Sequence, residues 1–427
     1  MNTKIIKLIS CLIPQTEIRK KFRNKYIIKN ILNEQHLICF KEYNKTLQKL
    51  KIESKNRKLN VCFYVSETTK WNLQTIYDAM KNSNIFKPFV VVSTRPKYYT
   101  KTAYEHNLAF FKNCCDDVRI GFDVQNEEAI DLKSFNPDII FYQQPWDLCS
   151  FKNQTIQYVK DFALTCYCPY PISEAPETLI TNIKWFHSRL WKHFIFNNEI
   201  EKQYTTNFGY TSKHHNLVIT GHPKLDIYEN KNTKSNYNNY VIYSPHHAYS
   251  FSPHKYATWG WNGYFMLWYA KKHPEINWVF KPHPDFKLAT WYNEKLTTKE
   301  QIEDYCEEWK RIGLYYDDGN YFDLFNKSKC LITDCGSWLT EYLPTQNPVI
   351  HLRSKIATGY SDTNNKIMPF YYQAWDLEQL KEHLDNVLIN NKDPLKADRI
   401  RLISELGLDK FNATDNIINE IKREIYT

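Results

Sequence analysis

The feature that most constrains the fold is a strand, a polar turn and a helix in direct succession around residue 330. Residues 327–353 read KSKCLITDCGSWLTEYLPTQNPVIHLR. The apolar run 330–332 predicts a buried strand, and 333–337 form a polar corner before a helix that Pro344 ends. Residues 348–352 predict the next buried strand. This order is typical of an α/β domain with a parallel sheet.

The polar corner is suited to an anion. Hydroxyls and free backbone N–H groups at a helix start favour negative charge, and Gly336 allows a close approach. A second predicted strand ends in Lys281-Pro-His-Pro284. Because ligands of parallel sheets bind at the carboxyl ends of the strands, both stretches predict one binding edge. The alternative is an ordinary corner in which Asp334 and Ser337 only cap the helix.

Strands and helices alternate along most of the chain, which predicts an α/β fold of two doubly wound Rossmann-like domains facing a cleft. We expect a basic N-terminal arm over 1–58, a first Rossmann-like domain over 59–190, a second over 191–395 and a closing C-terminal helix over 396–427. Residues 185–204 are predicted to form one helix.

Positive charge is concentrated in the arm. Residues 1–60 hold 15 Lys and Arg against four Glu, whereas the whole chain has a formal charge of +9. Cations mixed with apolar residues over 19–29 predict contact with the anionic inner face of the cell membrane. The alternatives are a basic helix packed on the first domain and an exposed tail. Nucleic acid is not an expected partner, because no known nucleic-acid module follows the patch.

The remaining composition excludes several classes of protein. No apolar run has membrane-spanning length, and 4–14 lack a small-residue cleavage site, so we expect a cytoplasmic protein bound peripherally to the membrane. The eleven cysteines include no CxxC pair, which predicts reduced, mostly buried thiols. We expect no metal and no cofactor.

Histidine stands beside proline at three successive predicted strand ends: Gly221-His-Pro223, Ser244-Pro-His-His247 and Lys281-Pro-His-Pro284. A histidine in such a place can carry a proton or donate to phosphate near neutral pH. Each one alone is more often an ordinary loop residue, so the prediction depends on the three together.

With these residues the chain resembles the CDP-glycerol glycerophosphotransferase family of teichoic acid and capsule polymer synthesis. The similarity covers roughly 215–425 and lies in four elements: 221–226, Tyr243-Ser-Pro-His-His247, 281–284, and 333–342 followed by Asn347-Pro-Val. It implies a GT-B fold, a CDP-linked donor bound in the C-terminal domain, a glycan or lipid-linked acceptor, and peripheral binding to the membrane.

The resemblance also implies roles for individual residues. His283 and Ser337 would contact the donor pyrophosphate, Thr333 and Gly336 would shape the anion corner, and Glu341 would hold the ribose. The other candidates for donor binding are Lys281, Asp334, His222 and His247, and His246 joins His283 as a catalytic candidate. Trp259 and Trp261 are candidates for acceptor binding, with core packing as the alternative.

One element departs from the family pattern. Family members carry a Trp-His-Gly-Thr-Pro element whose histidine is the general base, whereas this chain reads Cys166-Tyr-Cys-Pro-Tyr-Pro-Ile-Ser173. Tyr170 is the candidate there, although a phenol is a weak base. We therefore expect transfer of glycerophosphate or a related group. The alternatives are a nucleotide-sugar glycosyltransferase and a non-catalytic scaffold of polysaccharide assembly.

Overall fold

The computed structural model describes residues 11, 16–96, 99–146, 150–172, 183–207, 216–229, 239–252, 254–316 and 321–427. The described chain divides into two compact units. The first contains the described residues of Met1–Tyr170, Leu179–Asp226 and Asn412–Thr427. The second is formed mainly by Ile227–Phe411.

The first unit is built on a parallel sheet of seven strands. Its strands are β1 Leu59–Val65, β2 Phe86–Val92, β3 Val118–Ile120, β6 Ile139–Tyr142, β7 Leu164–Tyr167, β8 Lys192–Ile195 and β9 Leu217–Ile219. Two further strands, β4 Phe122–Asp123 and β5 Glu128–Ala129, form a separate antiparallel hairpin. The order across the sheet is β3-β2-β1-β6-β7-β8-β9. The described helices that precede and connect them are α1 Thr16–Glu53, α2 Gln74–Lys81, α3 Lys101–Cys114, α4 Ile156–Val159, α5 Ile183–Arg189, α6 Asn198–Asn207 and α7 Pro223–Asp226.

The second unit is built on a parallel sheet of six strands: β10 Tyr240–Ser244, β11 Trp278–Phe280, β12 Leu314–Tyr315, β13 Ser328–Thr333, β14 Val349–Leu352 and β15 Tyr372–Ala374. Their order, β12-β11-β10-β13-β14-β15, is the 3-2-1-4-5-6 order of a Rossmann sheet. The helices are α8 Trp259–Lys272, α9 Phe286–Leu288, α10 Lys299–Ile312, α11 Phe322–Asn326, α12 Gly336–Tyr342, α13 Asp362–Ile367, α14 Leu377–Leu384 and α15 Lys396–Glu405. The last helix of the chain, α16 Ala413–Tyr426, belongs to the first unit.

The expected boundary at 190/191 differs from the one that the structure shows, because 185–204 is not one helix. The fully buried strand β8 separates α5 from α6 and extends the first sheet. The sequence does not predict this strand, because its first two residues, Lys192 and His193, are polar. The Lys192 ammonium lies 2.7 Å from Glu420 and 2.8 Å from Glu424 of α16, and these ion pairs allow a lysine in a buried strand.

The expected closing helix is likewise two helices in different units. α15 belongs to the second unit, and α16 packs on the first with Ile417, Ile421 and Ile425 buried. Its N-terminus is capped by Asp226, whose carboxylate accepts the N–H groups of Ala413 and Thr414 at 3.0 and 2.7 Å.

The C-terminal part of the expected arm is also a core element. In α1, the side chains of Cys39, Tyr43, Leu47 and Leu50 are buried at helical spacing. The Tyr43 hydroxyl lies 2.6 Å from Thr165 of β7. Among the described helices, none combines the length and the apolarity that a membrane crossing requires.

Candidate functional site

The candidate site lies at the topological switch point of the second sheet, where β10 and β13 are neighbours but their connections leave in opposite directions. Asp334 follows β13 and is fully buried. One carboxylate oxygen accepts the His246 N–H at 2.7 Å, and the other accepts the Thr258 N–H and hydroxyl at 2.7 Å each. Asp334 therefore fixes both ends of the loop from β10 to α8. Its burial raises its pKa to about 6, although the three hydrogen bonds oppose the shift.

Three imidazoles meet at this point, and we call His246, His247 and His283 the imidazole cluster. One ring nitrogen of each lies within 4.8 Å of the other two. The ring of His247 stacks on that of His283 with centroids 3.8 Å apart, and the rings of His246 and His283 are 5.1 Å apart. The structure thus brings together side chains from the ends of β10 and β11, as the sequence predicts.

The loop backbone fixes the tautomer of two of these rings. Nδ1 of His246 accepts the Ala248 N–H at 3.1 Å, and Nδ1 of His283 accepts the Asp285 N–H at 3.1 Å. A neutral ring that accepts at Nδ1 carries its proton on Nε2 and donates from there. Burial, followed by the repulsion of His283 and His247, lowers the pKa of His246 well below its ordinary value. His246 therefore offers an uncharged N–H donor at neutral pH.

His247 adds a second type of group. Its Nδ1 is buried without a hydrogen-bond partner among the described residues. Burial also lowers the pKa of His247, an effect that the Asp285 carboxylate partly opposes. A buried polar nitrogen costs free energy unless a ligand or water satisfies it, so this atom points to a bound molecule.

The same hydrogen bonds decide between a metal ion and an anion. Coordination through Nε2 would put the proton of a neutral ring on Nδ1, where His246 and His283 already face a backbone N–H. The ring nitrogens are close enough together to bind an ion. However, the backbone N–H groups at Nδ1 of His246 and His283 leave the ring proton on Nε2, which then donates a hydrogen bond and cannot coordinate a metal. The arrangement therefore suits an anion better than a cation.

Around the cluster, the corner residues are mostly buried. The Thr333 hydroxyl donates to the Ser244 carbonyl at 2.8 Å, which ties β13 to β10. A Cβ on Gly336 would lie 3.1 Å from the ring of Tyr256, so only glycine leaves this contact unstrained. Ser337 is half-buried at the start of α12, with its hydroxyl 3.4 Å from the thiol of Cys335.

Lys281 and Glu341 lie deeper than the sequence suggests. The Lys281 ammonium lies 4.8, 5.7 and 5.9 Å from the ring centroids of Tyr316, Tyr321 and Trp338, and its residue is buried. The Glu341 carboxylate accepts the hydroxyl of Tyr321 and is almost fully buried. Both side chains therefore contact aromatic residues in this structure, and they share Tyr321.

The two tryptophan candidates differ. Trp259 is buried in the core, with its indole against Gly263, where a Cβ would lie 2.2 Å from Nε1. Trp261 is half-buried and lines a cavity of about 410 Å³ with Thr258, Arg353, Lys355 and Trp375.

Two candidates belong to the first unit. Nε2 of His222 lies 2.7 Å from the Pro169 carbonyl, Nδ1 accepts the Lys224 N–H at 3.2 Å, and burial lowers the His222 pKa to about 3. Both nitrogens are thus used within that unit, where Gly221 (φ +84°) packs against Ala413 of α16. Tyr170 has the Lys70 ammonium 5.4 Å from its ring centroid.

Sequence reasoning did not assign a function to Thr258, Arg353 or Trp375. Thr258 holds Asp334, and the other two line the cavity. Arg353 directly follows the buried strand β14 and Trp375 directly follows β15, so their position at a strand end was the available signal. β15 has only three residues, which is too short for its pattern to be recognised.

No protein-family model and no curated protein matches the chain. Solved structures do. The wall teichoic acid polymerase TagF, H548A, is 13% identical over 94% of this chain and 98% of its own, with a TM-score of 0.56. A UDP-GlcNAc 2-epimerase from Neisseria meningitidis bound to UDP-GlcNAc is 14% identical over 86% and 100%, with a TM-score of 0.54. S. aureus MnaA with UDP is 15% identical over 86% and 96%, with a TM-score of 0.50. At this identity the likeness establishes the fold, a GT-B-like pair of Rossmann-like domains.

Proposed function

We propose that the protein is a transferase of cell-surface glycan synthesis that binds the diphosphate of a nucleotide-linked donor at the imidazole cluster. The observation that carries the proposal is the set of three imidazoles at the switch point, two of which accept a backbone N–H at Nδ1 and so present Nε2 to a ligand. The structural neighbours support this proposal, because one is a wall teichoic acid polymerase and another was solved with UDP.

The chemistry follows from where charge develops. When an acceptor hydroxyl displaces a nucleotide, the bond to the leaving phosphate oxygen breaks and that oxygen takes the electron pair. N–H donors fixed in a buried site stabilise this negative charge without reorganising. Ser337, at the start of α12, and His283 would hold the diphosphate, with Thr333 and Gly336 shaping the corner. Asp334 would act as a positioning residue through the His246 and Thr258 backbone.

For the donor we favour a CDP-linked compound, with transfer of glycerophosphate or a related group and CMP as the leaving group. The four sequence elements of the glycerophosphotransferases support this choice. A nucleotide-sugar glycosyltransferase is the second candidate, because two neighbours carry UDP or UDP-GlcNAc in their names. In both cases the acceptor is a glycan or lipid-linked molecule, and Tyr170 is the candidate to receive its proton.

Calorimetric titration of the purified protein with CMP, CDP, CDP-glycerol, UDP and GDP tests the proposal. We expect selective binding of cytidine nucleotides, weakened in His283→Ala and in Ser337→Ala. Selective binding of UDP or GDP would favour the glycosyltransferase. An absence of binding to all five would refute the donor site and favour a scaffold.

We also propose that the N-terminal part of the arm binds an anionic membrane surface. The cations over 19–29 precede the part of α1 that packs into the first unit. Sedimentation with vesicles of neutral and anionic lipid tests this. Replacing Arg19, Lys20, Lys21, Arg23 and Lys25 by Gln should release the protein from anionic vesicles, and equal binding by the variant would refute the proposal.

A further inference from the structure

The cavity beside Trp261 has features of a second binding site in the same unit. Its volume of about 410 Å³ lies in the range of small-molecule pockets. It is lined by residues that follow β14 and β15, by the loop before α8 and by Trp261 in the first turn of α8. The indoles of Trp261 and Trp375 give it aromatic surface, and two cations, Arg353 and Lys355, outnumber the one carboxylate of its lining, Asp376.

Arg353 is held in a defined orientation. Its guanidinium lies 4.5 Å from the ring centroid of Trp375 and 5.2 Å from that of Tyr360. One terminal nitrogen, Nη1, donates to the Gln373 side chain at 2.5 Å. Nε is buried and has no hydrogen-bond partner among the described residues. An edge of the guanidinium is therefore fixed in place with a donor unsatisfied, which is the geometry that binds carboxylate or phosphate.

The cavity adjoins the imidazole cluster through one carboxylate. Thr258 forms part of the cavity wall and donates to one oxygen of Asp334, whose other oxygen accepts the His246 N–H. A molecule in the cavity is thus next to the loop that carries the cluster.

We infer that this cavity binds an anionic sugar unit, with the apolar face of the sugar ring against the indoles and its phosphate or carboxylate on Arg353. The inference rests on the proposed function, since such a unit is either the group transferred from the donor or the end of the acceptor. Aromatic rings supply surface for the ring of the sugar, and Arg353 and Lys355 select its charge.

Calorimetry of the full chain with glucose 6-phosphate, glucose and inorganic phosphate tests the inference. We expect glucose 6-phosphate to bind at least tenfold more tightly than either other probe. Trp375→Ala should weaken its binding about tenfold. Trp268→Ala is the matched control, because that indole is 44% exposed against 37% for Trp375 and also faces a cation 4.5 Å from its ring. It should bind as the wild type does.

Arg353→Lys keeps the charge and removes the fixed edge, so it should weaken glucose 6-phosphate about tenfold and leave glucose unchanged. If Arg353→Lys folds poorly, the glucose 6-phosphate affinity of Lys355→Ala gives an independent test, because Lys355 is exposed. Equal affinity for glucose 6-phosphate and inorganic phosphate, or equal effects of the two tryptophan variants, would overturn the inference.

Competition with nucleotides shows whether the sugar unit in the cavity is the group transferred from the donor or the end of the acceptor. It also tests the cavity and the donor site separately. Displacement of glucose 6-phosphate by CDP-glycerol or UDP-N-acetylglucosamine identifies the cavity with the transferred group, and simultaneous binding identifies it with the acceptor. His246→Asn should weaken nucleotide binding alone. If the wild type binds a nucleotide but not glucose 6-phosphate, only the cavity inference is refuted. If it binds glucose 6-phosphate but no nucleotide, only the donor site is refuted.

Discussion

Replacement of His246 by Asn tests the neutral-donor interpretation of the imidazole cluster. The Asn side-chain oxygen can accept the Ala248 N–H as an Asx turn, in place of the 3.1 Å bond to Nδ1, while the Nε2 donor is lost. A hydrogen bond to a charged phosphate contributes about 1.5–3 kcal/mol. The variant should therefore bind a nucleoside diphosphate roughly 10- to 150-fold more weakly, since about 1.4 kcal/mol is tenfold.

The assay is calorimetric titration at pH 7.5 with the nucleotide that the wild type prefers, beside urea unfolding of each variant. His222→Asn is the matched control. Nδ1 of His222 accepts the N–H of Lys224, as Nδ1 of His246 accepts that of Ala248, but Nε2 of His222 is already hydrogen-bonded to the Pro169 carbonyl. That variant should lose stability and keep its nucleotide affinity. If His246→Asn binds the nucleotide within twofold of the wild type while folding normally, the cluster does not donate to the diphosphate.

Three further predictions concern pH and stability. Burial raises the pKa of Asp334 from 3.8 to about 6, so its contribution to stability is present below pH 3.8 and lost as pH rises through 6. Asp334→Asn should lose this part of the pH dependence in urea unfolding at pH 4 and pH 7, and an unchanged dependence would contradict the assignment. The affinity for CDP-glycerol should stay constant from pH 6.5 to 8, because burial lowers the pKa of His246 and of His247; a tenfold fall per pH unit would indicate charged imidazoles instead. Lys192→Met should lower the free energy of unfolding by roughly 2–3 kcal/mol, less than for a fully buried pair because Glu420 and Glu424 keep some exposure. A loss under about 0.5 kcal/mol, the size of a neutral surface substitution, would refute the stabilising role of this pair.

The meeting of the polar strand ends of the second unit could be predicted from the sequence because its signals are local. Apolar runs that end in Pro, His and Thr mark β10, β11 and β13, and parallel strands bring their ends to one edge. The cluster of His246, His247 and His283 follows from that rule alone.

What the sequence did not reveal depends on distant partners. β8 has Lys192 and His193 in a buried strand, and only the acidic residues of α16 make that lysine acceptable there. The roles of Asp334 and His222 are set by loop N–H groups and a carbonyl whose positions no local pattern gives. The cavity combines residues from three loops, so its walls meet only in the folded chain.

The return of α16 to the first unit bears on the order in which a ribosome-bound chain can fold. All strands of the first sheet have been synthesised by Ile219, but α16, which Asp226 caps and which carries the carboxylates that pair with Lys192, is made only after the second unit. Until α16 is synthesised, the first unit therefore lacks the apolar cover of Ile417, Ile421 and Ile425 and the two carboxylates that pair with Lys192. The second unit, continuous in sequence apart from a short segment, can complete its sheet first, and so the later half of the protein is the half that is able to fold early.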